Sequence, residues 1–149
     1  MKYFISFVLS AILLVGCGSP TTIPTPTLQI CNAEEIHQFT DPMAVLWTKW
    51  GDQYKAAIAA SKTTLPDQIG KLQEIKSEVE NLKPTECTVK LFDLTKQYMK
   101  VTIDALNAFM GNEATKTVPD LLNQGSALMA QMNSEITRLA DCLPYHCTP

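Results

Sequence analysis

From residue 31 onward, apolar residues return at intervals of three and four, the spacing that lines one face of an α-helix. Asn32-Ala33-Glu34-Glu35 has the form of a capping box and predicts a short helix that Pro42 breaks or kinks. Asp41 and Pro42 then suit the N-cap and first position of a longer helix reaching about Lys62. Its stripe is Met43, Leu46, Trp47, Trp50, Tyr54, Ala57 and Ile58, with Lys49, Asp52, Gln53 and Lys55 on the opposite side. A second helix is expected from near Thr64, with Pro66 in its first turn, to Leu82, on Ile69, Leu72, Ile75, Val79 and Leu82. Pro84 ends it.

The third predicted helix runs from about Thr85 to Met110. Cys87, Leu91, Leu94, Tyr98, Val101, Ala105 and Ala108 alternate in steps of four and three, close to a heptad seam. Phe92, Ile103, Leu106 and Phe109 widen that seam into a face for more than one neighbour. Gly111-Asn112 is a C-cap signal. The fourth helix is expected to begin around Thr117 to Pro119 and reach Cys142, on Leu121, Gly125, Leu128, Met132, Ile136 and Leu139. Short connections between long amphipathic helices favour antiparallel neighbours. The expected fold is all-α, an up-down-up-down four-helix bundle, with an extended α-hairpin that dimerises as the rival. Trp47 and Trp50 could stack on a ligand, but aromatics on a helical core stripe usually fill the core.

The chain before residue 31 follows a different pattern. Lys2 supplies an early positive charge, and Phe4 to Val15 is a mostly apolar run of about a dozen residues, too short to span a hydrocarbon core of roughly 30 Å. It ends in Leu14-Val15-Gly16-Cys17. This segment resembles the lipobox of bacterial lipoproteins. The resemblance implies that Cys17 carries a diacylglyceryl group, that residues 1–16 are removed as a signal peptide, and that the mature protein is held on the extracytoplasmic face of a cell membrane or outer membrane. At about 0.8 kcal/mol for each buried methylene, two or three acyl chains anchor far more firmly than one. Residues 17–30 then form the lipidated N-terminus and a Pro/Thr-rich tether. Its three prolines within Ser19 to Thr27 favour polyproline II and a reach of roughly 40 Å. Residues 31–149 form the helical domain.

Removal of residues 1–16 takes Lys2 with it, so 11 basic residues face 15 acidic ones, a formal charge of about −4. No basic run points to nucleic acid, and attachment to the membrane falls to the lipid on Cys17 rather than to a charged face.

With Cys17 assigned to lipid, Cys31, Cys87, Cys142 and Cys147 remain, an even number in a compartment that permits disulfides. In an up-down-up-down bundle all four fall at one pole. Folding helices three and four about a turn near Ala114 sets Cys87 opposite about Asp141. The expected pairs are therefore Cys87–Cys142 and Cys31–Cys147. His37 and His146 offer a metal or redox alternative, but no Cys-x-x-Cys or Cys-x-x-Cys-His is present. Glu34-x-x-His37 has the spacing used by di-iron bundles, without the second such motif those sites need. No phosphate loop, nucleophile elbow or His-Glu-x-x-His occurs, and no cofactor is expected.

These features predict a non-catalytic binding or structural accessory domain of the cell envelope, with an envelope protein as a candidate partner. If the disulfide pole faces the membrane, the opposite pole is the candidate contact surface. It comprises Lys62, Thr63 and Thr64 with Asn112, Glu113 and Lys116. The alternative is a bundle that binds a small ligand, haem or a metal, with Met99, Met110, Met129 and Met132 as soft ligands.

Overall fold

The computed structural model describes residues 31–111 and 114–142, with side chains of the last helix described over residues 117–141. The expected signal segment and tether, Asn112, Glu113, His146, Cys147 and the side chains of Lys116 and Cys142 lie outside the described residues. Four helices follow in order: α1 (Ala33–Ala59), α2 (Leu65–Glu80), α3 (Val89–Met110) and α4 (Ala114–Cys142). They form an antiparallel up-down-up-down four-helix bundle in which α1 packs on α2, α2 on α3, and α3 on α4.

The capping box at the start of α1 is present in part. The Asn32 side chain accepts from the Glu35 amide at 2.8 Å, satisfying one of the orphan donors of the first turn. The expected break at Pro42 is not present, because α1 continues through it as one helix of 27 residues. Pro42 deprives the Gln38 carbonyl of its helical donor, but both residues are on the exposed face, where water can replace that bond. On the other face Ile36, Phe39 and Met43 are all buried, so an unbroken register carries the apolar stripe past the proline.

Thr64 precedes α2, Pro66 sits in its first turn, and Ile69, Leu72, Ile75 and Val79 are buried as the stripe requires. α3 starts four residues later than expected. Thr85 to Thr88 form a turn before it, in which Thr88 Oγ1 accepts from the Thr85 amide at 3.0 Å. Gly111 caps α3 in an extended conformation with φ −77°, so its left-handed freedom is unused. α4 starts at Ala114 and accommodates Pro119 near its beginning.

The core joins all four helices, with Phe39 edge-on to Phe92 at 6.0 Å and Leu72, Val79 and Met99 fully buried. Three residues of the predicted stripes stay largely outside it. Ile58 is 61% exposed, Phe109 46% and Ile136 49%.

The cysteine pairing differs from expectation. Cys31 and Cys87 are bonded to each other, with a Cα–Cα distance of 5.8 Å, which replaces both Cys87–Cys142 and Cys31–Cys147. The four-residue shift in the start of α3 leaves Cys87 in the preceding turn, facing the entry of α1. On the α4 side, Arg138 rather than Asp141 meets this turn, donating from Nη2 to the Cys87 carbonyl at 2.9 Å. The earlier start of α4 shortens the connection and moves the register by about one turn.

Glu135 completes this seat although it is only 2% exposed. Its Oε1 accepts from Arg138 Nε at 2.9 Å and Nη2 at 2.6 Å, and its Oε2 lies 3.2 Å from Lys90 Nζ. Burial pushes the carboxyl's pKa up, but the bonds from Arg138 and Lys90 outweigh it and hold the group below the ordinary glutamate value. A depressed carboxyl stabilises the fold above its unfolded pKa and loses that contribution as pH falls through the folded one. Urea midpoints should therefore drop as pH falls below about 4. Glu135→Gln should cost about 1–3 kcal/mol at pH 7 and flatten that acid limb; an unchanged acid limb would contradict the assignment.

Candidate functional site

Of the six large apolar residues that are exposed among the described residues, Val45 and Val89 stand apart and the other four fall together. Ile58 on α1, Phe109 on α3, and Leu122 and Ile136 on α4 all border cavities along the α1–α4 seam. The larger cavity measures about 620 Å³ and lies between the end of α1, the last turns of α3 and the first half of α4. A smaller one of about 260 Å³ lies nearer the disulfide pole, between Met43, Trp47, Leu91 and Ile136. Met129 lines both, so the two cavities adjoin at this side chain along one apolar seam, with α3 residues lining each.

Local sequence explains this shape. Helix α3 carries apolar residues on a wide arc, and α4 sits on the side that contains Tyr98, Val101 and Ala105. Gly125 faces this side: a Cβ added to it would lie in ordinary contact, 4.0 Å from both Tyr98 Cε2 and Val101 Cγ1, so only a side chain longer than alanine's would crowd them. With α4 seated on α3, its flanking apolar residues Leu122 and Ile136 line the seam toward α1. Contiguous exposed apolar surface of this kind marks a binding groove more often than an accident of composition.

Among the described residues no charged side chain and no histidine lines either cavity. The polar groups of the larger one are few. Burial pushes the Tyr98 phenol above its ordinary pKa, an effect to which Tyr54 adds and which the Thr102 hydroxyl opposes. It is therefore neutral at physiological pH. The hydroxyls of Thr102 and Ser126 are turned back onto their own helices, donating to the Tyr98 and Leu122 carbonyls at 2.9 and 3.0 Å. The trough can take up apolar matter, and its lining offers no ionised acid, base or nucleophile.

The residues singled out in the sequence divide accordingly. Trp47 lines the smaller cavity and leans on Tyr98, ring centroids 5.4 Å apart, whereas Trp50 is a core residue whose indole nitrogen has no hydrogen-bond partner. They are not a stacking pair. Met99 and Met132 are buried and Met110 is half-buried against the core, while Met129 faces the trough. His37 is exposed beside Asp41, at 3.4 Å. Among the described residues no group of three His, Cys, Asp or Glu side chains is placed to hold a metal ion, and no helix is long and apolar enough to cross a membrane. Lys62, Thr63 and Thr64 are exposed at the pole opposite the disulfide, and Lys62 Nζ lies 5.3 Å from the centre of the Phe109 ring. The trough itself was missed by sequence reasoning. Its signal was an excess of apolar residues on the fourth helix, where Leu122 stands beside the stripe residue Leu121.

Comparison with protein families, with curated proteins and with solved structures finds no match to this chain. Function rests on the site itself.

A neutral, environment-sensitive probe such as N-phenyl-1-naphthylamine should bind residues 17–149 prepared without lipid and gain fluorescence. Gly125→Leu places a side chain against Tyr98 and Val101 inside the trough and should weaken that binding about tenfold, a loss of roughly 1.4 kcal/mol. Helical circular dichroism should be retained. Equal binding by the two proteins would place the probe elsewhere.

Proposed function

We propose that this chain is a lipid-anchored domain on the extracytoplasmic face of a bacterial membrane, and that it works by binding rather than by catalysis. The observation that carries the binding role is the apolar trough along the α1–α4 seam, with uncharged lining and exposed apolar rims. Ligand sites are typically concave, largely apolar and a few hundred to a thousand Å³ in volume, and the larger cavity falls in that range.

The address rests on the resemblance of Leu14-Val15-Gly16-Cys17 to a lipobox. The Cys31–Cys87 bond supports it, because structural disulfides persist in oxidising compartments. Polarity follows from the same bond. Cys31 is where the tether enters the domain, so the disulfide pole is the membrane-near end and the Lys62 pole the far one. The larger cavity opens beside the far pole, about 40 Å or more from the anchor when the tether is extended. An envelope protein could also contact that pole through Lys62, Thr63 and Thr64.

The anchor is tested by expressing the full chain in bacteria with labelled palmitate. Label should appear in the membrane fraction, on a product lacking residues 1–16, and Cys17→Ser should abolish both labelling and processing. Non-reducing peptide maps of the wild type should contain a Cys31–Cys87 peptide. Unlabelled, unprocessed protein in the cytosol would contradict the address.

A further inference from the structure

Resting on the binding role proposed above, we infer that the trough takes a single long-chain carboxylate, with its hydrocarbon chain along α4 and its ionised head at Lys62. Three features of the site define this ligand. The first is length. The larger cavity follows α4 from Val118 to Met129, about 16 Å at 1.5 Å per residue. One acyl chain spans half of a hydrocarbon core of roughly 30 Å, or about 15 Å. The smaller cavity lies beyond Met129 in the direction of Ile136.

The second is cross-section. The cavity of about 620 Å³ is elongated along α4 and has room for a slim unbranched chain laid between its apolar rims. The third is charge. Among the described residues the lining carries no ionised group to receive a charged head inside. Among the described residues a cation at the far-pole end is Lys62, whose Nζ lies 5.3 Å from the centre of the Phe109 ring, and Phe109 itself lines the cavity. An anionic head leaving the trough beside Phe109 meets that ammonium, while its methylenes cover Ile58, Leu122 and Met129. Burial of its methylenes supplies the affinity, and Lys62 sets the chain's direction.

The test uses the full lipidated chain in dioleoylphosphatidylcholine vesicles, with two photoactivatable probes carrying a diazirine at mid-chain: a palmitate analogue and the matching hexadecanol. Both should label α4 and α3 peptides containing Leu122, Met129 or Phe109. Lys62→Glu should reduce labelling by the palmitate analogue about fivefold, the scale of a surface charge interaction, and leave the alcohol unchanged. Lys62→Arg should behave as wild type, and melting curves should show that the variants remain folded. Equal loss or no loss for both probes would overturn the carboxylate assignment and leave an apolar binding trough. Failure of both probes, while N-phenyl-1-naphthylamine still binds in the seam, would overturn the long-chain ligand alone. Failure of all three would overturn the binding role with it. Cross-linking of one chain to another through these same peptides would assign the trough to a second copy and overturn the proposal.

Discussion

The register of α4 on α3 is fixed at the disulfide pole by a buried carboxylate. Glu135 is held by Arg138 on its own helix and by Lys90 at the start of α3, while Arg138 also donates to the Cys87 carbonyl. A buried acid without such partners would be strongly destabilising, so α4 cannot slide or rotate without exposing that cost. Because Cys87 is also bonded to Cys31, the same turn ties α3 to the entry of α1. One short stretch, Thr85 to Lys90, thus holds α1, α3 and α4 at one end of the bundle.

The opposite end inherits the consequence. Seated this way, α4 turns Gly125 and Met132 into the packed interface and leaves Leu122 and Ile136 along its flank. α1 contributes Ile58 and Trp47 from across the seam. The trough is therefore built by the same register that buries Glu135, and its apolar rims are what remains of stripes wider than the bundle can bury. Its uncharged lining suits uptake of hydrocarbon, and Lys62 supplies a cation at its far-pole end.

Much of the fold was legible because it depends on local periodicity. The stripes through Ile69 to Val79 and Leu91 to Leu94 predicted buried residues that are indeed buried. The helix ends were less legible, since they depend on competing signals. Pro42 reads as a break, but on an exposed face its missing hydrogen bond is outweighed by burial of Phe39 and Met43 on the other side. The cysteine pairing failed for a related reason. It depended on where α3 and α4 begin, and a shift of about one turn at each was enough to put Arg138 where a cysteine had been expected. Ile58, Phe109 and Ile136 fit their stripes correctly, yet periodicity alone cannot say whether the facing surface is another helix or a groove. The salt-bridged Glu135 carried no sequence signal beyond an acid on an otherwise apolar arc.

The α1–α4 seam is an accessible apolar trough rather than a closed helix interface. Methyl-resolved NMR under xenon, which enters apolar cavities, tests it directly. Xenon-dependent shifts should concentrate on the methyls of Ile58, Leu122, Met129 and Ile136, with the core methyls of Leu72 and Val79 unmoved. Insensitive trough methyls, with dense nuclear Overhauser contacts from Ile58 to Leu122 across the seam, would contradict it.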